Sequence, residues 1–321
     1  MSNTESRLQH FPVTFFAIVM GLSGLTIAWQ AASQYLPLAF TIHGELFILT
    51  GTIFCALSLM YLSKILRHFS AVQAEFRHPI KMSFFPAFSI SMILLSICMQ
   101  PYSALLTNIL FWLGISIHLM LTFAIIGVWV NHDKFEINHM NPAWFIPVVG
   151  NILVPIIGVP LGQIEISWFY FSIGTVFWIV LMTIFFYRII FHNRLPPKLM
   201  PTFFILIAPP SIGFSAYLQL HPSLDSFAQI LYGIGLFLTL FLFSQYRWFK
   251  GLPFALSWWA YSFPMAAITI ASFKMYDASG SNIYKIIAIT LLGLVSVLIT
   301  SLLVRTLLAI KKHGVCLPEP D

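Results

Sequence analysis

The sequence predicts an all-α integral membrane protein with ten spanning helices, and three observations carry that prediction. Hydrophobic residues fill 59% of the 321 positions and charged residues only 8%, too few to cover the surface of a water-soluble domain. Apolar stretches near the roughly 20 residues needed to cross ~30 Å of hydrocarbon recur along the chain, separated by short polar gaps. The basic residues sit at the ends of those stretches. Lipid is therefore the solvent for most of the chain, which reads as one domain over 12–309 with short tails at 1–11 and 310–321.

The first span, 13–34, follows Arg7 and superficially resembles a secretory leader, but its apolar run is nearer 20 residues than the roughly 7–15 that leaders use. The next spans are 45–64, ending on Lys64; 82–99, opened by Pro79 and Lys81; 104–128, carrying His118; and 144–162, interrupted by several breakers. They are followed by 166–187, 201–219, 226–244, 254–273 and 284–309. An even count puts both termini on one side. With that side cytoplasmic, Arg7, Lys64, Arg67, Arg77, Lys81, Lys134, Arg188, Arg194, Lys198, Arg247, Lys250, Arg305, Lys311 and Lys312 all face the cytoplasm. That leaves only Lys274 and Lys285 of the 16 basic residues on the other side. This positive-inside bias fixes the topology. The expected location is a plasma membrane, the inner membrane of a bacterium. The same bias also accounts for the formal charge of +6, so nucleic acid is not an expected partner.

Proline in a spanning helix frees a carbonyl that only protein or a water-filled cavity can satisfy. Pro86, Pro147, Pro155, Pro160, Pro209, Pro210 and Pro264 all fall in odd-numbered spans, and the even spans contain none. The spacing from Pro86 to Pro147 to Pro209 to Pro264 is about two spans with their loops, the signature of a repeated helical hairpin. Five hairpins would set the odd helices as a kinked central ring around a pore and the even helices as a straight outer ring. The odd spans also concentrate small and weakly polar residues, among them Ser23, Gly24, Ser89, Gly150, Asn151, Ser211 and Ser215. Such residues either permit close helix packing or line a narrow path.

Chemistry is scarce. Cys55, Cys98 and Cys316 share no spacing, so neither a disulfide framework nor a metal site is expected. His118 alone is ionisable at mid-span, and on an even helix it reads as a packed, interhelically bonded histidine rather than a proton site. The stretch Glu75 to Lys81 reads as a turn. With no ligand or catalytic constellation, an enzyme is not expected, nor a cofactor. Such an interior can pass an ion without binding it tightly, through pore width, dipoles, flanking charge and apolar constrictions. Missing mid-membrane acids disfavour cations, and basic cytoplasmic mouths favour anions.

The run Ser257-Trp258-Trp259-Ala260-Tyr261-Ser262-Phe263-Pro264-Met265 resembles the ninth-helix signature of the family that holds the tellurite-resistance protein TehA, plant slow anion channels, yeast malate permeases and sulfite exporters. Further similarities are Phe11-Pro12 with Met20-Gly21-Leu22, Glu75-Phe76-Arg77-His78-Pro79, Pro142-Ala143-Trp144-Phe145-Ile146-Pro147 with Gly150-Asn151, and Ala208-Pro209-Pro210-Ser211 with Ser215-Ala216-Tyr217. The resemblance implies ten spans in five hairpins, a homotrimer, and small inorganic anions passing through each protomer along the odd helices. It implies Phe263 as an aromatic gate, with Pro86, Pro147, Asn151, Pro209, Pro210, Ser211, Ser215 and Pro264 as pore-lining or kink positions. Ala17 stands where many relatives carry a pore-facing glycine, and its methyl group would narrow the path. The leading expectation is a channel for monovalent anions such as chloride and nitrate. The alternative is a secondary carrier or exporter of oxyanions, such as tellurite or sulfite, or of C4-dicarboxylates.

Overall fold

The computed structural model describes residues 7–131 and 135–317. His132 and Lys134, residues 1–6 of the amino-terminal tail and 318–321 of the carboxy-terminal tail lie outside the described residues. Within them every regular element is helical. The long helices are α1 (Phe16–Ala32), α2 (Ala39–Arg67), α4 (Pro86–Met99), α5 (Ala104–Asn131), α8 (Ile164–Phe191), α9 (Ala208–Leu220), α10 (Ser226–Ser244), α11 (Ser262–Ser279) and α12 (Asn282–Lys311). The short ones are α3 (Phe69–Arg77), α6 (Phe145–Val149) and α7 (Val154–Gly158).

Among the described residues, eight helical segments are long and apolar enough to cross a membrane, and they fall into two classes by burial. Val13–Ala32, Lys81–Met99 and Pro197–Leu220 have 72%, 78% and 89% of their apolar windows buried, against 17% to 39% for α2, α5, α8, α10 and α12. A helix buried on all sides packs against protein, whereas one buried on a single stripe turns the rest of its apolar surface to lipid. Two further buried segments do not qualify by length and apolarity. Pro142–Gly158 is broken into α6 and α7 by a 3₁₀ turn at Gly150–Leu153, and α11 carries Ser272, Lys274 and Asp277 among its apolar residues.

The buried segments share one construction. A 3₁₀ stretch leads into an α-helix at Val13–Phe15, Lys81–Phe84, Pro142–Trp144, Pro197–Ile207 and Leu256–Tyr261. The prolines cluster at the junctions: Pro86 is the first residue of α4, Pro155 the second of α7, Pro209 and Pro210 the second and third of α9, and Pro264 the third of α11. In the first turn of a helix the amide N–H has no intrahelical partner, so the missing donor costs nothing there. Four of these spans are thus two helical pieces joined near a proline that starts the second; the first span departs from this, with only Pro12 ahead of its 3₁₀ stretch. The uninterrupted helices contain no proline and run 29, 28, 28, 19 and 30 residues.

Each buried segment packs against the long helix that follows it in sequence, and the buried segments also pack on one another in a closed circuit. Around that circuit α1 meets α4, α4 meets α6 and α7, these meet α9, α9 meets α11, and α11 returns to α1. α1 lies close against α11. A Cβ built on Gly21 would lie 2.2 Å from Ser262 Oγ, and one on Gly24 2.8 Å from Ala266 Cβ, so only glycine allows this spacing.

Two regions differ from the sequence expectation. Glu75 to Arg77 form the last turn of helix α3 rather than a turn of loop, and α11 runs six residues past the expected end at 273, which carries Lys274 into the helical core. His118 is bonded between helices as expected, with its Nδ1 2.9 Å from Ser89 Oγ of α4. Arg188 is fully buried on α8, where it donates to the carbonyls of Ile137 and Asn138 at 3.1 and 3.2 Å and pins the loop before α6.

Candidate anion pathway

A cavity of 960 Å³ lies inside the circuit of buried segments and opens at the face where both described chain ends lie. All five segments wall it: α1 through Ala17 and Met20, α4 through Ile90, the broken segment through Val149, Gly150 and Leu153, α9 through Ala208, Pro209 and Ile212, and the last through Trp259, Phe263 and Pro264. The walls are apolar. Among the described residues of the lipid-facing helices, only Lys64 and Ala309 reach the cavity, both near its mouth.

The cavity is blind. Beyond Met20, Ile90, Ile212 and Phe263 the segments close on each other, with Leu25, Leu94, Ala216 and Ala267 all buried and none of them touching the open volume. Phe263 stands at this closed end. It is 8% exposed, and its ring leans on α1: a methyl group on Gly24 would lie 3.2 Å from Phe263 Cδ2. The 3₁₀ turn that delivers Phe263 is anchored from behind by Trp259 Nε1, which donates to Thr306 Oγ1 of α12 at 2.9 Å, and by Ser262 Oγ, which donates to the Trp259 carbonyl at 2.6 Å. The turn that carries the ring is therefore held in place, and the ring itself borders the cavity.

At the mouth, three lysines, Lys64, Lys81 and Lys198, stand against one glutamate, Glu75, among the described lining residues. Glu75 is fully engaged. It accepts from Lys64 Nζ at 2.6 Å, from the Val13 amide at 2.7 Å and from the Tyr61 hydroxyl at 3.2 Å, while Lys64 also donates to the Phe11 carbonyl at 2.8 Å. This buried network ties α2 and α3 to the entry of α1 and so sets where Ala17 and Met20 stand. Gly314 to Leu317 fold back from the end of α12 to the rim of the same mouth.

The sequence-predicted site residues separate into two groups. Ala17, Pro209, Phe263 and Pro264 line the cavity. Pro86, Pro147, Pro210, Asn151, Ser211 and Ser215 do not, although all are buried within the same circuit. The Pro147 carbonyl accepts from Thr122 Oγ1 at 2.7 Å, and Asn151 Nδ2 donates to the Val148 carbonyl at 2.8 Å, so side chains take up carbonyls at the break in this segment. Ser211 faces α10, where a methyl on Gly235 would lie 2.7 Å from its Oγ. Sequence reasoning missed Glu75 and Lys274. The Glu75 signal was an acid placed where α3 folds against two membrane helices, legible only if 69–77 is read as an amphipathic helix.

A profile of the SLAC1 family, described as voltage-dependent anion channel, matches residues 10–307. The chain belongs to that family. It is 30% identical over 309 residues to the S-type anion channel SLAH2 of Arabidopsis thaliana, covering 94% of this chain and 59% of that protein. It is 26% identical over 311 residues to the guard cell S-type anion channel SLAC1 of the same plant, covering 94% and 56%. A tellurite resistance protein TehA homolog of Haemophilus influenzae is 28% identical over 276 residues, covering 84% of this chain and 82% of its own. The chain thus spans little more than half the length of these plant relatives but most of the bacterial one. The family match covers all five buried segments and the cavity between them.

Proposed function

We propose that this chain is a gated channel for small monovalent anions such as chloride and nitrate. One observation carries the reading: Phe263 stands at the inner end of a cavity that all five buried segments line. The names of the family relatives, which are anion channels in plants, agree with it. In this reading the spans number ten, as five hairpins. The broken segment Pro142–Gly158 and the Leu256–Ser279 segment hold places in the circuit equivalent to those of the three buried segments that qualify by length. Residues 12–309 form the channel in a bacterial inner membrane, and 1–11 and 310–321 lie on its cytoplasmic side.

A narrow apolar passage excludes hydrated ions by dewetting as well as by volume, and an aromatic ring across it is a sufficient barrier. Lysine-rich charge at the mouth concentrates anions there, and apolar walls hold none tightly, which suits weak discrimination among monovalent anions. The outward apolar surface of α2, α5, α8, α10 and α12 suits lipid and neighbouring protomers, and we assign three protomers, each with its own pore. The test is reconstitution in planar bilayers with anion replacement. The expected reversal potential follows chloride in a potassium chloride gradient. A potential that follows potassium refutes the anion reading. Vesicle flux of an oxyanion or dicarboxylate without current would instead assign the chain to the carriers.

A further inference from the structure

Helix α11 carries Phe263 at its start and Lys274 eleven residues later. At 3.6 residues per turn that separation returns to within about 20° of the same helix face, roughly 16 Å further along the axis. Ala267 and Ile270 lie between them on that stripe. The stripe leads from the blind end of the cavity toward the face opposite the chain ends. Lys274 is half-buried there, against α9, and its Nζ donates to the Ser215 carbonyl at 3.4 Å. Beside that carbonyl, the Ser215 hydroxyl is buried without a hydrogen-bond partner among the described residues. No carboxylate forms an ion pair with Lys274 among them. The acid nearest in sequence, Asp277, accepts instead from the Tyr35 hydroxyl, and a second ammonium, Lys285, stands 5.2 Å over the Tyr35 ring.

A lysine drawn into the helical core of a membrane protein is costly, and an incompletely satisfied one marks an ion path more often than a packing role. We infer that Lys274, with the Ser215 hydroxyl beside it, forms a subsite for a small monovalent anion on the pathway beyond Phe263. Its ammonium attracts the anion that has passed the ring, or the anion arriving from the opposite face, and the hydroxyl donates to it. This inference rests on the channel reading above. The site lies three turns from the gate, so it governs conductance and selectivity, not whether the ring is closed.

The experiment uses the Phe263→Ala chain, with Cys55, Cys98 and Cys316 replaced by alanine, as the conducting background. Lys274→Gln in that background is expected to lower chloride conductance about threefold or more at ~0.01 M salt and less than about 1.5-fold at ~1 M, because the screening length falls from about 30 Å to about 3 Å. Lys274→Arg keeps the charge and retains the conductance. Lys274→Cys, treated from the face opposite the chain ends, regains conductance with a cationic methanethiosulfonate and not with an anionic one. A lysine that only bonds the Ser215 carbonyl of α9 would change thermal stability while leaving conductance and its salt dependence alone. Lys274→Gln equal to the background at low salt, or Lys274→Cys indifferent to the sign of the reagent, overturns the subsite and leaves the channel standing. A background that carries no anion current overturns the channel reading, and the subsite with it.

Discussion

Truncating Phe263 to alanine separates a gate from a core residue, because the two roles predict opposite outcomes. In a packed core, Phe→Ala costs about 3–5 kcal/mol, the transfer of the ring plus the void left behind. Phe263 is not enclosed in that way: its ring borders a cavity of 960 Å³ that already opens to water, so truncation extends an existing space and creates no new void. One edge of the ring lies close to Gly24 of α1. We therefore expect a stability loss of less than about 2 kcal/mol, well under the core value. The cavity gains the volume of the ring at its inner end. A current increase of tenfold or more is expected, equivalent to a barrier lowered by about 1.4 kcal/mol or more. Phe263→Leu, which keeps apolar bulk but not ring length, gives an intermediate increase. The assay is macroscopic current in bilayers at equal protein density, with thermal unfolding in detergent as the control. An intact Phe263→Ala oligomer whose anion current is no larger than that of the parent refutes the gate.

Lys64→Met strands a buried carboxylate and is expected to cost about 3–5 kcal/mol, while Lys64→Met with Glu75→Gln recovers most of it; tryptophan-monitored unfolding measures both. Gly21→Ala drives a methyl to within 2.2 Å of Ser262 Oγ and is expected to cost about 1–3 kcal/mol by overpacking α1 against α11. Adding Ser262→Ala relieves only part of that cost, because Ser262 Cβ itself lies 2.7 Å from the added methyl. Native mass spectrometry in detergent is expected to show three protomers, and a monomeric particle that still conducts would remove the trimer while sparing the pore.

Composition and pattern by themselves determined the class of this molecule. Removing charge from all but a few positions leaves lipid as the only solvent the chain can tolerate, and the spacing of apolar runs then sets helix lengths within a few residues, as at 226–244. Proline placement picked out four of the five buried segments, since a missing backbone donor is tolerated only where protein surrounds it; the first span is buried without one. The motif around Phe263 identified the residue that stands at the closed end of the cavity. What only the tertiary structure decided is direction. Ser211 and Asn151 look as eligible for a pore wall as Pro209, yet Ser211 faces α10 and Asn151 faces the break before α7, because a helix face is defined only once its neighbours are in place. Burial of charge is likewise a property of the assembled helices. Glu75 and Lys64 lie eleven residues apart in polar surroundings and meet at 2.6 Å only after α3 folds against α2 and the start of α1. Lys274 reads in one dimension as the polar end of a span, and it becomes part of the core because α9 stands beside it.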